Sequence, residues 1–187
     1  MRIRLGTPED APAVLALGDE TVAWLNASGN TEQWGTTPWT ANERRKSTIR
    51  TRAVNDLRVL IDDTDSIVGA LAISETRQPY APPADERELY VNLLLTARRH
   101  RGLGRALIDH AKREAAERGI DLLRVDCYAG GDGKLVRVYE NYGFTRVTEF
   151  SVGAWPGMLL ALHLSAIGQM GDTKVRAVPD VPGTQGF

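Results

Sequence analysis

A short basic stretch with two glycines offers the clearest chemistry in this sequence. Residues 98–104 read Arg-Arg-His-Arg-Gly-Leu-Gly, so four basic side chains precede Gly102, and one leucine separates it from Gly104. Glycines let the backbone approach a ligand closely, and the free N–H groups at the start of a helix attract phosphate. The stretch lacks the third glycine of a dinucleotide fingerprint, because Leu107 stands there, and it lacks a Gly-Lys-Ser/Thr ending. It therefore predicts a loop for a different phosphate-bearing cofactor.

The elements on either side of this loop follow from the spacing of apolar residues. Residues 88–95 alternate so that one face is fully apolar, which predicts a strand. From Leu103 the apolar residues recur at helical spacing, which predicts a helix of about four turns. The loop thus joins a strand to the N-terminus of a helix.

Two blocks of sequence resemble one known family. Arg99-x-x-Gly102-x-Gly104 after a strand, with Ala-Leu-Ile at 106–108, resembles the Arg/Gln-x-x-Gly-x-Gly/Ala motif of the GNAT superfamily of acetyl-CoA-dependent N-acetyltransferases. Residues 122–144 resemble the family's next strand and helix, which end in Tyr-Glu-x-x-Gly-Phe, here at 139–144. The resemblance covers roughly residues 1–165 and is strongest over 88–150.

The resemblance implies acetyl-CoA as the cosubstrate and places it on the chain. Its pyrophosphate site corresponds to Arg99, His100, Arg101, Gly102, Leu103 and Gly104, with Arg105 just inside the helix. The backbone of Leu94 and Leu95 would run beside the pantetheine arm, with the Leu94 N–H as an oxyanion donor. The family often has asparagine seven residues before its tyrosine; Asp132 stands here, and it would contact the cofactor or cap the helix.

The resemblance also implies an acid and leaves the base open. Tyr139 corresponds to the tyrosine that protonates the leaving thiolate in many relatives, although the same side chain would also suit packing on its helix face. An amine with a pKa of about 10 needs a proton acceptor. Glu88, on the polar face of the central strand, is the first candidate base and Asp126 the second. Their alternatives are a surface carboxylate and a hydrogen-bonded support.

The acceptor side is predicted from an aromatic loop. Residues 26–39 are rich in Gly, Asn and Thr and contain Trp34 and Trp39, and the family lines its acceptor cleft with this region. We expect Trp24, Trp34 and Tyr128 to bind the substrate, with Trp39 nearby. The tryptophans would equally serve to plug the loop onto the core. A second helix, predicted from a capping box of Thr40 and Glu43, has a basic face that is either solvated or meets an acidic or nucleic-acid partner: Arg44, Arg45, Lys46, Arg50 and Arg52.

Composition limits the alternatives. The chain has 187 residues, 42% of them hydrophobic, which suits one domain, and its 23 basic and 24 acidic residues leave a net charge of -1. No general attraction to nucleic acid or membrane is expected. A single cysteine, Cys127, excludes an intrachain disulfide and is consistent with a reducing cytoplasm, and the N-terminus does not resemble a signal peptide. The three histidines show no metal-binding spacing.

The fold that the resemblance implies is a single α/β (α+β) domain over residues 1–165. It has a mixed, mostly antiparallel, twisted sheet of about six to seven strands flanked by about four helices. Residues 166–187, rich in Gly and Pro, form a tail that packs on the body or on a neighbour through Val175, Val178, Val181 and Phe187. The tail and the closing strands would support a homodimer.

The predicted function is transfer of an acetyl group from acetyl-CoA to the primary amine of a small molecule, by direct attack in a ternary complex. No metal is expected. The alternatives are a peptide or protein amine as acceptor, and an acyl-CoA-binding sensor domain without turnover. A nucleic-acid-associated acceptor would depend on the basic second helix.

Overall fold

Seven strands form one sheet in the computed structural model of the chain, which describes residues 1–166. The strands are β1 (Arg2–Leu5), β2 (Leu57–Ile61), β3 (Ile67–Ser74), β4 (Glu88–Thr96), β5 (Leu122–Tyr128), β6 (Thr145–Val152) and β7 (Trp155–His163). They lie in the order β1-β2-β3-β4-β5-β7-β6. Of these neighbours β4 and β5 are parallel, and the other pairs are antiparallel. The predicted mixed, mostly antiparallel sheet is confirmed.

Four α-helices flank the sheet within residues 1–166, as predicted: α1 (Ala11–Ala27), α2 (Glu43–Asn55), α3 (Leu103–Glu117) and α4 (Lys134–Asn141). Both α1 and α3 pack on β3 and β4, while α4 packs on β5 and β6. A short 3-10 turn with Thr7 at its N-cap leads into α1. None of the described helices is long and apolar enough to cross a lipid bilayer.

The predicted capping box at the start of α2 is wrong. The backbone N–H and the hydroxyl of Thr40 donate to the carboxylate of Asp19 instead, at 3.0 and 2.5 Å. The cap is Asn42, whose Oδ1 accepts the N–H of Arg45 at 3.0 Å. An asparagine side chain accepts a first-turn N–H as well as a threonine does, so the helix is capped by Asn42 and begins two residues later than a cap at Thr40 predicts.

Successive residues of β4 and β5 face opposite sides of the sheet. Leu89 and Val125 belong to the main core together with residues of α3 and α4. Tyr90 belongs to a small separate cluster with Leu159. Asp126, next to Val125, shares the face of Tyr90. The sheet thus keeps a polar and aromatic group of side chains on one face and the α3–α4 core on the other.

β4 and β5 pair over part of their lengths. The ladder joins Glu88–Val91 to Leu122–Val125, whereas β4 continues to Thr96 and β5 to Tyr128. The register between β3 and β4 also skips Asn92, which forms a bulge. The facing edges of β4 and β5 are therefore unpaired beyond these residues, which leaves a slot between the strands.

The predicted C-terminal tail lies almost wholly outside the described residues. The same holds for its proposed anchors, Val175, Val178, Val181 and Phe187. The domain boundary at residue 165 therefore stays a prediction.

A buried ion pair joins β2 to α3. Arg58 is 5% exposed, and its Nε lies 2.9 Å from Glu114 Oε2, with a second bond between its Nη2 and Oε1. Arg58 Nη1 also donates to the carbonyl oxygen of Asp56 at 2.7 Å. Burial raises the pKa of Glu114, but the hydrogen bonds and charges of Arg58 and Arg118 outweigh it, so the pKa is below its usual range.

Glu114→Gln should lower the free energy of unfolding by about 3 kcal/mol at pH 7, because it leaves Arg58 buried without a counter-charge. Since the pKa of Glu114 is lowered by folding, its contribution is present at neutral pH and disappears as the pH falls through that lowered pKa. Urea unfolding of both proteins measures the difference. Glu117→Gln, an exposed change on the same helix, should cost less than about 0.5 kcal/mol. Equal losses in the two variants would contradict the assignment.

Candidate active site

The loop between β4 and α3 presents a row of free backbone N–H groups. Ala97, at its start, donates to Val68 O at 2.8 Å, and Ala106, in the first turn of α3, donates to Gly102 O at 3.0 Å. Between them, the N–H groups of residues 98–105 have no backbone acceptor within residues 1–166. Free N–H groups at a helix N-terminus can bind an anion, and the predicted phosphate contact at this loop stays a prediction.

The two glycines of the loop have different roles. Gly102 has a φ of +80°, a left-handed conformation that favours glycine, and a Cβ there would meet nothing within 4 Å. A Cβ on Gly104 would lie 2.7 Å from Tyr142 Oη on the segment that follows α4. Gly104 therefore lets α3 approach α4 closely, a reason for glycine that the motif alone did not reveal.

The basic side chains around the loop are not equivalent. The Arg98 guanidinium stacks on the ring of Trp24, with 3.2 Å between Cζ and the ring centroid. Arg99 is exposed, with Nη2 3.9 Å from Asp62 Oδ2, and Arg101 is also exposed. Arg99 and Arg101 are thus exposed cations near the free N–H groups, and Arg99 also has a long ion pair with Asp62.

Two further predicted cofactor residues, His100 and Arg105, differ in their contacts with the protein. His100 is half-buried, and its Nε2 has no hydrogen-bond partner within residues 1–166. Arg105 lies over the Tyr142 ring at 5.1 Å and donates to Asn141 O at 2.6 Å. Arg105 therefore fastens α3 to α4, a structural role beside the predicted phosphate contact.

Leu94 and Leu95 border the slot between β4 and β5. They pair with Leu71 and Ala70 of β3 on one side, and on the other they lie beyond the last residue that pairs with β5. Leu95 is buried and Leu94 half-buried. Their side chains pack while one backbone edge stays open, so both predicted roles are compatible.

Tyr139 lies in an aromatic cluster on α4. Its ring makes edge-on contacts with Tyr142 and Phe144, at centroid distances of 6.0 and 5.8 Å. Its hydroxyl has no hydrogen-bond partner within the described residues, and burial raises its pKa. At neutral pH the hydroxyl therefore keeps its proton and can donate it. The nearby Cys127 is also buried, which raises the pKa of its thiol to about 12 and makes it a poor nucleophile.

Glu88, the first candidate base, is held in a buried ion pair. Its Oε2 lies 2.9 Å from Arg124 Nη1, and both side chains are less than 10% exposed. Arg124 donates in addition to Pro82 O at 3.0 Å. The guanidinium stabilises the carboxylate at the end of β4 where it pairs with β5, away from the open slot.

Asp126 lies where two tyrosine hydroxyls meet. Tyr90 Oη donates to Oδ1 at 2.6 Å, and Tyr80 Oη to Oδ2 at 3.1 Å. Burial raises the pKa of Asp126, and these two hydrogen bonds offset part of the rise. Within residues 1–166 no cation pairs with this carboxylate. It is thus a half-buried carboxylate that can take up a proton.

The predicted substrate-binding aromatic residues divide into two groups. Trp34 packs on Trp39 at a centroid distance of 4.9 Å, and Trp39 is buried against Gly18 of α1. These two tryptophans plug the loop onto the core. Trp24 lies instead against the cofactor loop through Arg98. Tyr128 shares the face of Asp126, and its hydroxyl donates to Glu32 Oε2 at 2.7 Å.

Asp132 lies two residues before α4. Its Oδ1 accepts the N–H of Lys134 at 2.9 Å, and its Oδ2 lies 3.3 Å from Arg137 Nη2. The N-cap of α4 is Gly133, so the predicted cap at Asp132 is wrong by one residue, although Asp132 still accepts the first N–H of the helix. The bonds give no reason of their own for a contact with the cofactor, which stays a prediction.

Some residues near Asp126 could not be found from the sequence. Tyr80 comes from the Pro-rich loop before β4 and stacks on Phe150 at 5.2 Å. Glu32 and Arg45 reach this region from the loop before α2 and from α2 itself. None of them has a spacing that marks it, since the fold brings them together over long distances in sequence.

Three side chains at the opposite end of the sheet have donor atoms that suit a metal ion. The ligand atoms of Glu86, Asp121 and His163 lie within 4.8 Å of one another. Asp121 already accepts two bonds from Ser165, at 2.8 and 2.9 Å, and His163 lies 3.1 Å from Glu86. The group therefore satisfies its own hydrogen bonds.

Several solved structures share the fold. A GNAT-family acetyltransferase from Listeria monocytogenes is 19% identical, with a TM-score of 0.68 over 87% of this chain and 94% of that one. The ribosomal-protein-alanine N-acetyltransferase of Brucella melitensis is 20% identical, with a TM-score of 0.60 over 88% and 100%. YncA of Salmonella typhimurium, solved with its cofactor acetyl-CoA, is 17% identical, with a TM-score of 0.59 over 97% and 99%. At these identities the likeness shows the fold.

The sequence matches none of the curated proteins with which it was compared. A family model, however, covers the region that contains the loop, Asp126 and Tyr139. It is described as the acetyltransferase (GNAT) family, and it matches residues 19–144, more than half of the chain. The family predicted from two short motifs is thereby confirmed by a match to whole-domain sequence as well as by the fold. The chain belongs to the GNAT family of acetyltransferases.

Proposed function

We propose that this acetyltransferase moves the acetyl group of acetyl-CoA to the primary amine of a small molecule, by direct attack in a ternary complex. One observation carries the proposal. The free N–H groups of residues 98–105 follow the end of β4 that separates from β5, Asp126 is the first β5 residue beyond the ladder, and burial, Cys127 and Asp126 all raise the pKa of Tyr139. Together they provide an anion site, a channel for a linear arm, a proton acceptor and a proton donor.

Acetyl-CoA fits the groups that this chain presents. Its pyrophosphate would be held by the free N–H groups of residues 98–105, with Arg99 and Arg101 close enough to add charge. The backbone edge of β4 at Leu94 and Leu95 would bind the amide groups of the pantetheine arm. The YncA structure, which contains acetyl-CoA, has the same fold.

Proton transfer on the acceptor side is assigned to Asp126. An ammonium group with a pKa of about 10 must lose a proton before its nitrogen can attack. Asp126 accepts that proton and passes it to solvent. The choice of Asp126 over Glu88 rests on their surroundings, because Arg124 competes for the carboxylate of Glu88 whereas Asp126 meets hydroxyl groups.

Acetyl-CoA supplies an acetyl group that its thioester activates. The acceptor nitrogen forms a C–N bond to the carbonyl carbon as the C–S bond breaks, and the Leu94 N–H stabilises the charge on the carbonyl oxygen. Tyr139 donates its proton to the leaving sulfur. The second proton of the nitrogen returns through solvent to Tyr139, so one proton ends on the sulfur and one in solvent.

The surroundings of Asp126 favour a small acceptor. Tyr80 stacks on Phe150 at 5.2 Å, and Tyr128 and Phe150 both contact the ring of Trp155. Trp155 Nε1 donates to Gln33 O at 3.0 Å, which ties the turn between β6 and β7 to the loop before α2. Aromatic rings from four segments, namely the loop before β4 and the strands β5, β6 and β7, thus crowd this face. The fold alone does not choose the acceptor, since the Brucella melitensis relative is named for a protein substrate.

A cytoplasmic location and a homodimer stay predictions. The first rests on the single cysteine, which is buried and unpaired with another cysteine. The second rests on the tail, which lies outside the described residues.

Gly102→Val should weaken binding of coenzyme A at least about 10-fold, because the side chain displaces the loop from its left-handed conformation and crowds the free N–H groups. Calorimetric titration measures the change. Gly119→Val is the matched control, since Gly119 follows the other end of α3, has a φ of +65° and also faces open space. Both variants should lose similar stability, about 1–2 kcal/mol. If both variants bind coenzyme A with equal affinity, the loop of residues 98–105 is not its binding site.

Tyr139→Phe should lower kcat about 100-fold and leave the affinity for acetyl-CoA nearly unchanged, because it removes a proton donor that has no protein partner. Thiol release from acetyl-CoA, with a panel of amino acids, polyamines, aminoglycosides and short peptides, measures the rate. Tyr142→Phe removes the neighbouring hydroxyl as a control. An unchanged kcat would mean that solvent, and not Tyr139, protonates the leaving thiolate.

The same panel tests the acceptor class. Turnover of peptides alone would contradict a small acceptor, and coenzyme A binding without turnover would favour the sensor alternative.

The pH profile of kcat/KM should report the carboxylate of Asp126. Because its pKa is raised, the rate should fall as the pH falls through a value above the usual aspartate range. Tyr90→Phe removes a hydrogen bond that stabilises the carboxylate, so the pKa rises further and the acid limb moves to higher pH. Asp126→Asn should lower kcat/KM about 100-fold or more and abolish that limb. Glu149→Gln, an exposed change on β6, serves as control. If the acid limb of the pH profile is the same in Tyr90→Phe and Asp126→Asn as in the wild type, Asp126 is not the base.

A further inference from the structure

One arginine of α2 differs from the other basic residues of that helix. Lys46 pairs with Glu43, and Arg52 pairs with Asp56 at 2.7 Å. Arg44 and Arg50 are exposed to solvent. Arg45 is half-buried, and in the described part of the chain its guanidinium has neither an ion pair nor a hydrogen bond. The basic face of α2 is therefore not uniform, and Arg45 needs its own explanation.

The guanidinium of Arg45 is held by an aromatic ring. Its Cζ lies 5.0 Å from the centroid of Trp39, which is 1% exposed and packs against Gly18. A fixed ring under a guanidinium restrains its position and leaves its N–H groups free to donate elsewhere. Burial lowers the pKa of Arg45, and the charge of Arg44 lowers it further, so the environment within the chain disfavours this charge.

Arg45 is close to the group around Asp126. Burial and Asp126 raise the pKa of Tyr80, and the charge of Arg45 offsets part of that rise. The hydroxyl of Tyr80 donates to Asp126 at 3.1 Å. Among residues 1–166 Asp126 has no cation and Arg45 has no anion, and Tyr80 connects the two side chains. Because Asp126 and Arg45 do not pair with each other, the carboxylate can bind the amine of a zwitterion and the guanidinium can bind its carboxylate.

We propose that Arg45 binds a carboxylate of the acceptor, so that the acceptor is a small amino acid whose amine meets Asp126. The inference rests on the proposed function and narrows its substrate class. Arginine presents two parallel N–H donors that match a carboxylate, and a half-buried charge is stabilised when such a partner arrives. A polyanionic macromolecule would engage the exposed Arg44 and Arg50, whereas Arg45 lies too deep for more than a compact anion.

Matched acceptors test the carboxylate directly. The panel contains α-, β- and γ-amino acids, each beside its amide and its decarboxylated amine, in the thiol-release assay. The wild-type enzyme should prefer the acids by about 10- to 100-fold in kcat/KM. Arg45→Gln should bring the ratio of kcat/KM for acids over amides close to one. Arg45→Lys should keep part of the preference, because lysine retains the charge but lacks the two parallel N–H donors of arginine. Arg50→Gln removes one exposed charge from the same helix and should retain the full preference.

A binding measurement separates this inference from the proposed function. N-acetyl amino acids and free amino acids are titrated into the protein saturated with coenzyme A, for the wild type, Arg45→Lys and Arg50→Gln. Acid-dependent binding that weakens in Arg45→Lys supports the carboxylate site even if no amine is turned over. If amines are acetylated equally well with and without a carboxylate, and Arg45 variants do not change the rate, the carboxylate site is rejected and the acetyltransferase proposal stands. Neither turnover nor binding across the panel overturns both.

Discussion

The separation of β4 from β5 is the constraint on which the site depends. The two strands pair over Glu88–Val91 and then diverge, and the bulge at Asn92 marks the change. The side chain of Asn92 accepts a bond from Gln78 at 2.9 Å and donates to Ser74 at 3.0 Å, which fixes β4 to the segment after β3. Backbone groups beyond that point must be satisfied by water or by a ligand. The loop of residues 98–105 lies at the end of this open edge, and Asp126 lies on the other side of it.

Charge is buried in two different ways along these strands. Where they pair, Glu88 and Arg124 neutralise each other. The Arg58–Glu114 pair between β2 and α3 is a second example elsewhere in the fold. Where they diverge, Asp126 meets two phenols and, within residues 1–166, no cation. A buried ion pair resists a change of charge, while a carboxylate among hydroxyls can gain and lose a proton. The paired end of the sheet is therefore electrostatically fixed, and the open end can titrate.

The cofactor side could be predicted from the sequence because it is made of adjacent residues. A strand, a glycine-containing loop and a helix N-terminus follow one another, so residues 88–118 predict these elements and the free N–H groups between them, while cofactor binding there stays a prediction. Glu88 illustrates the opposite case. It lies on the predicted polar face, but its partner Arg124 is set by the register between β4 and β5, which local pattern does not reveal. Tyr80 comes from a connecting loop and Arg45 from a separate helix. Thr40 and Asn42 both suit a helix cap, so their types alone do not decide which of them caps α2.

The interaction of α1, α2 and their connecting loop with the sheet has a consequence for evolution. The proposed acceptor face is built from side chains that these segments and the Pro-rich loop contribute, including Glu32, Arg45 and Tyr80. The loop of residues 98–105 and Tyr139 belong to other parts of the chain. Trp39, buried against Gly18, anchors the connecting loop at one point. Insertions or exchanges on the exposed side of that anchor could diversify the acceptor while the machinery for acetyl-CoA is inherited unchanged, so a lineage could acquire new substrates without passing through an inactive ancestor.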